Sequence, residues 1–133
     1  MKHVFVDTSG WYSLVDSNDP KNTVAVKWFK NNAFPLITTN YTFSETLTLI
    51  RYRLGHKKAI IFGKKLQDSK SVILHKVSAD KEKRAWEIFE KYSDKKFSFL
   101  DCISFAVMES LNIKKVFTFD RHFKQIGFNI LPG

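Results

Sequence analysis

Short apolar runs that stop at a polar or turn residue alternate with longer stretches of helical spacing along this chain. That alternation restricts the fold more than any other feature. Strand patterns run from His3 to Asp7, Leu36 to Thr39, Ser71 to Val77, Lys115 to Asp120 and Phe128 to Leu131. Each is short, rich in β-branched, leucine or aromatic residues, and bounded by turn formers. Between them lie helical patterns: Lys21 to Asn31 with Val24, Trp28 and Phe29, and Thr42 to Leu54 with Phe43, Leu47, Ile50 and Leu54, stopping at Gly55. A third runs from Lys57 to Asp68 despite Gly63, whose helix cost is about 1 kcal/mol. Two more span Asp80 to Tyr92, with a cap-like start and Ala85, Ile88 and Phe89, and Ser98 to Leu111. Strands and helices in this order predict an α/β fold with a mostly parallel sheet covered by helices on both faces. Such sheets bind ligands outside the carboxyl ends of their strands.

The 133 residues hold no repeat, no low-complexity tract and only three prolines, so residues 1–133 are expected to form a single domain. No apolar run approaches the roughly 20 residues of a membrane helix, and no signal-peptide pattern opens the chain. The expectation is a soluble, cytoplasmic protein with no membrane partner. The single cysteine, Cys102, stands among Leu100, Ile103 and Phe105 and reads as a small buried side chain. Twenty-two Lys and Arg against thirteen Asp and Glu give a net charge of +9, which favours a polyanionic partner, nucleic acid first.

Four of the acids occupy positions where solvent would not normally place them. Asp7 and Asp120 each close a strand pattern and would be neighbours if the first and fourth strands are adjacent. Glu45 is the one acid between Pro20 and Gln67, and Leu49 and Tyr52 share its helix face. Asp101 lies on a helix apolar nearly all round, SFLDCISFAVMESL, where an unpaired carboxylate costs several kcal/mol. A helix-start role with Ser98 as cap competes for Asp101, and turn formation competes for Asp7 and Asp120. Four carboxylates from four elements would repel each other in one crevice unless cations neutralise them. An all-oxygen set without cysteine or histidine points to hard ions, Mg²⁺ or Mn²⁺. The remaining acids read as ordinary: Asp16 and Asp19 in a turn, Glu82, Glu87 and Glu90 on a mixed-charge face, Asp94 in a loop. His3, His56, His75 and His122 share no zinc spacing.

From Arg51 to Lys65 six positive residues, Arg51, Arg53, Lys57, Lys58, Lys64 and Lys65, face no acid. This ridge suits a phosphate backbone, and Arg121 beside Asp120 is a further candidate contact; a merely solvated surface is the competing reading.

The stretches VFVDTSGWYSLVD, TTNYTFSETLTLI, FSFLDCISFAVMES and VFTFDRHFKQIGFNIL resemble the PIN-domain family, in the family's order and over essentially the whole chain. Within it the compact size resembles VapC-type toxins of prokaryotic toxin–antitoxin pairs. The resemblance implies a three-layer α/β/α sandwich with about five strands and a ribonuclease dependent on one or two Mg²⁺ or Mn²⁺ ions. It places the catalytic and metal-binding acids on Asp7, Glu45, Asp101 and Asp120, with Thr8 supporting the geometry of Asp7. It also implies a homodimer and a cognate antitoxin whose tail enters the acidic groove. The expected reaction is hydrolysis of RNA by metal-activated water, leaving a 5′-phosphate and a 3′-hydroxyl, with Glu45 ligating a second ion or orienting the water. A haloacid-dehalogenase phosphatase needs a second aspartate where Ser9 stands, and a receiver domain needs an acidic pair near its first strand. The remaining alternative is a catalytically inactive RNA-binding or regulatory module of the same fold.

Overall fold

A computed structural model describes residues 2–133. Five parallel strands stand in the order β3-β2-β1-β4-β5: β1 (Val4–Val6), β2 (Leu36–Thr39), β3 (Val72–His75), β4 (Lys115–Phe117) and β5 (Asn129–Leu131). The register pairs Val4 with Leu36 and Lys115, and Val6 with Phe117, so β1 is central and β4 is its direct neighbour. The period of two along each strand feeds two cores. Val4, Val6, Leu36 and Phe117 pack toward α1 (Thr8–Val15), α2 (Asn22–Asn31), α3 (Asn40–Leu54) and α4 (His56–Asp68). Phe5, Ile37 and Val116 pack toward α5 (Ala79–Lys91), α6 (Phe99–Ser110) and α7 (His122–Ile126). The architecture is therefore the expected three-layer α/β/α sandwich.

Two helices were absent from the sequence expectation. The first, α1, starts directly after Asp7, because Thr8, Ser9 and Gly10 continue as helix where they read as a strand-end turn. Gly10 makes that possible: a Cβ there would lie 2.6 Å from the Phe117 carbonyl oxygen, so only glycine lets α1 press onto β4. The second, α7, is five residues long, below the length at which periodicity is readable. Gly63 leaves α4 unbroken; its missing side chain lets Leu47 of α3 approach, to 3.2 Å from where a Cβ would stand.

Helix α6 runs through the second core with Asp101 to Met108 all buried. Cys102 is fully enclosed there, and burial pushes its thiol up to about 11, the value of an inert core residue. The start of α6 is held by Ser98 and Asp101; Asp94 pairs with Lys95 on the exposed loop and takes no part.

Candidate active site

The parallel sheet delivers two of the four acids to one edge. Asp7 is the residue after β1 and stands in the N-cap position of α1, where its main-chain amide donates to the Phe117 carbonyl of β4 at 3.2 Å. Asp120 lies three residues beyond β4. Asp101 is the third residue of α6, and Glu45 the sixth of α3. All four line one crevice of about 410 Å³ at the carboxyl edge of the sheet, with Thr8, Ser9, Tyr12, Asp19, Lys21, Arg53, Phe119 and His122.

Hydroxyl groups tie the floor together. Ser9 Oγ and Thr118 Oγ1 lie 3.3 and 3.1 Å from Asp7 Oδ2 and donate to it. The amides of Phe119 and Asp120 donate back to Ser9 Oγ (2.9 Å) and Thr118 Oγ1 (3.0 Å). The His122 amide donates to Asp120 Oδ1 at 2.9 Å. Thr8 serves two acids: its backbone amide bonds the Asp7 carboxyl and its hydroxyl donates to Glu45 Oε2 at 3.2 Å, while the side-chain donors to Asp7 are Ser9 and Thr118.

Asp101 does form the helix-start arrangement that competed with a site role. Ser98 Oγ accepts from the Asp101 amide and Asp101 Oδ2 accepts from the Ser98 amide, both at 3.0 Å, a reciprocal capping box. Oδ2 takes both the cap and the His122 contact, and the carboxylate lines the crevice while also stabilising α6.

Asp7 and Asp101 are each only 6% exposed. Burial pushes the Asp7 carboxyl up to about 6; the Thr8 backbone amide and the Thr118 hydroxyl oppose this, and the charges of Asp101 and Asp120 reinforce it. Burial likewise raises Asp101, against the Ser98 amide and the His122 contact, and Asp120 adds to the rise. Glu45 lines the same crevice but is exposed. Such a floor holds negative charge at a cost, and a cation among the oxygens removes it.

The structure also corrects the expectation that no histidine joins the acids. Donor atoms of Asp101, Asp120 and His122 lie within 4.8 Å of one another, the spacing of a candidate metal centre. His122 Nδ1 is 2.7 Å from Asp101 Oδ2 and 3.3 Å from Asp120 Oδ1. The readable signal was a histidine two residues after a strand-end aspartate, close enough for its amide to bond that carboxylate.

The basic candidates divide. Arg53 lines the crevice, its guanidinium 5.2 Å from the Tyr12 ring. Arg51 contacts His56 on the surface, Lys57 is exposed, and Lys58 borders an apolar groove between α2 and α4. Arg121 is exposed and lines a separate shallow groove with Lys124 and Gln125. Lys21, which the sequence did not single out, reaches the crevice over the Phe119 ring at 5.5 Å, and Asp19 lines it too.

Residues 4–129 match the PIN domain. The chain belongs to the PIN-domain family. A curated relative is the 23S rRNA-specific endonuclease VapC20 of Mycobacterium tuberculosis, 34% identical over 125 residues, covering 94% of this chain and 95% of the relative. The crystal structure of the M. tuberculosis VapC20 protein, described as a Sarcin-Ricin loop cleaving toxin, superposes with a TM-score of 0.90 over 94% of this chain and 95% of that one. FitAcB from Neisseria gonorrhoeae, at 14% identity, shares the PIN-type fold with a TM-score of 0.70, covering 96% of this chain and 95% of its own. Among the described residues no helix is long and apolar enough to cross a membrane.

Proposed function

We propose that this PIN protein is a metal-dependent endoribonuclease, folded as one domain and acting as the toxin of a type II toxin–antitoxin pair. The observation that carries the reading is the convergence of Asp7, Glu45, Asp101 and Asp120, from four separate elements, on one crevice whose two buried carboxyls are both raised. The donor chemistry fits a divalent ion, since carboxylate oxygens dominate it. One or two bound Mg²⁺ or Mn²⁺ ions would supply a nucleophilic hydroxide at neutral pH and charge stabilisation at the leaving oxygen.

The chain's own residues do the rest. Asp7, Asp101 and Asp120 offer oxygens for the cation, with Asp7 fixed by Ser9 and Thr118 and Asp101 by Ser98. Glu45, which accepts from the Thr8 hydroxyl, would hold a second ion or orient the attacking water. Arg53 and Lys21 sit where a scissile phosphate's neighbours would pass, and Phe119 offers a ring face for a base. The Arg51, Lys57, Lys58 and Arg121 side chains supply longer-range attraction for RNA. In-line attack by external water leaves a 5′-phosphate and a 3′-hydroxyl. The relative's target, 23S rRNA and its sarcin–ricin loop, is the first substrate for this chain; a homodimer and an antitoxin with a basic tail complete the proposed assembly.

Incubating purified protein with ribosomal RNA and Mn²⁺, then sequencing fragment ends, tests this. A defined cut with 5′-phosphate ends, lost in Asp101→Asn while the circular dichroism spectrum is kept, is expected. Equal cleavage by the Asn variant overturns the assignment, and no cleavage by the wild type on any RNA favours the inactive binding module.

A further inference from the structure

His122 opens α7 and turns its ring into the acid cluster. Nδ1 stands 2.7 Å from Asp101 Oδ2 and 3.3 Å from Asp120 Oδ1. Neighbouring donors around a six-coordinate ion with bonds of about 2.1 Å are separated by about 3.0 Å. The two observed separations bracket that value. The residue is held at two points: its amide donates to Asp120 Oδ1, and its ring makes a T-shaped contact with Phe97, centroids 5.5 Å apart at 76°. Asp101 does not need the imidazole to stay in place, because the same Oδ2 already accepts the Ser98 amide at 3.0 Å.

We infer, on the basis of the metal-centre reading above, that His122 is a nitrogen ligand of the ion held by Asp101 and Asp120 and that it sets metal choice: the ion replaces the Nδ1–H···Asp101 hydrogen bond of the metal-free site, and the ring keeps its proton on Nε2 instead. Mg²⁺ demands oxygen donors and gives up water reluctantly, whereas Mn²⁺ accepts imidazole beside carboxylate. A mixed nitrogen and oxygen set therefore discriminates for Mn²⁺ over Mg²⁺. A histidine that only hydrogen-bonds Asp101 would act through the carboxylate and strengthen both ions alike.

Electron spin echo spectroscopy of the Mn²⁺-loaded protein, with Mn²⁺ and Mg²⁺ affinities by calorimetry, separates these roles. The wild type is expected to show ¹⁴N coupling to Mn²⁺. His122→Gln loses that coupling and about tenfold or more in Mn²⁺ affinity, while Mg²⁺ affinity moves much less. His122→Asp keeps a donor but makes it oxygen, and shifts the preference toward Mg²⁺. Coupling that is absent in the wild type, coupling that survives in His122→Gln, or an equal loss for both ions overturns the ligand role. If wild type binds neither ion, or Asp120→Asn binds both as wild type does, the metal centre itself falls and this inference with it.

Discussion

The crevice and the basic ridge carry opposite charges and live under opposite rules. In the crevice, Asp7 and Asp101 are buried, bonded by named donors and pushed above the ordinary carboxyl range. On the ridge, Arg51, Lys57, Lys58, Lys64 and Lys65 are exposed and solvated. A charge in water costs the fold almost nothing, so its position is free to drift. A charge under the sheet edge costs several kcal/mol, so it persists only where something beyond stability requires it. Position in the fold, more than the sign of the charge, is why we propose the acids as machinery.

The sharpest contrast is in catalysis. Asp101→Asn keeps the shape and an oxygen for the Ser98 amide, and it is expected to lower RNA cleavage by at least ~10²-fold with the fold intact. Next comes pH. The folded Asp7 carboxyl, at about 6, lies above its ordinary 3.8, so the native state holds the proton more tightly than the unfolded one. The contribution of Asp7 to metal-free stability is therefore greatest below pH 4, falls as pH rises to about 6, and stays flat above, a loss of roughly 3 kcal/mol from this one group. Melting curves of wild type and Asp7→Asn across this range give the difference attributable to Asp7; parallel curves would erase the distinction between floor and surface.

Smaller effects follow. Gly10→Ala drives a methyl against the Phe117 carbonyl and is expected to cost about 1–3 kcal/mol in a denaturant titration. On the ridge, Lys57→Ala should change stability by less than about 0.5 kcal/mol. Its effect on RNA affinity is modest and sequence-independent, and each lost phosphate contact flattens the salt dependence by about one unit of slope. A ridge lysine whose removal matched Asp101→Asn in activity would break the comparison.

The same rule explains what the sequence made readable. Strands β1, β2 and β4 and helices α3 and α6 are readable because burial enforces an apolar pattern on Val4, Val6, Leu36, Val116, Ile50 and the circumference of α6; β3 is readable from its apolar run alone, since Ile73 and Leu74 are exposed. The acid positions were readable because they violate that pattern. Helix α1 was hidden because the polar residues Thr8 and Ser9 and the close-packed Gly10 look like a turn until the partner strand β4 is known. Partners were hidden for the same reason: Thr8 with Glu45, Ser9 and Thr118 with Asp7, and His122 with Asp101 are contacts between distant segments. Lys21 and Asp19 enter the crevice through the turn between α1 and α2; the sequence showed the turn, but not that it folds back over the crevice.

One measurement tests most directly whether the buried carboxylates are kept for a cation: thermal unfolding at pH 8 as Mn²⁺ is added to wild type and Asp7→Asn. Wild type is expected to start lower, because its ionised Asp7 is buried without a cation, and to rise with Mn²⁺, while Asp7→Asn starts several degrees higher and responds little. A wild type indifferent to Mn²⁺, or two proteins that rise together, would contradict the account.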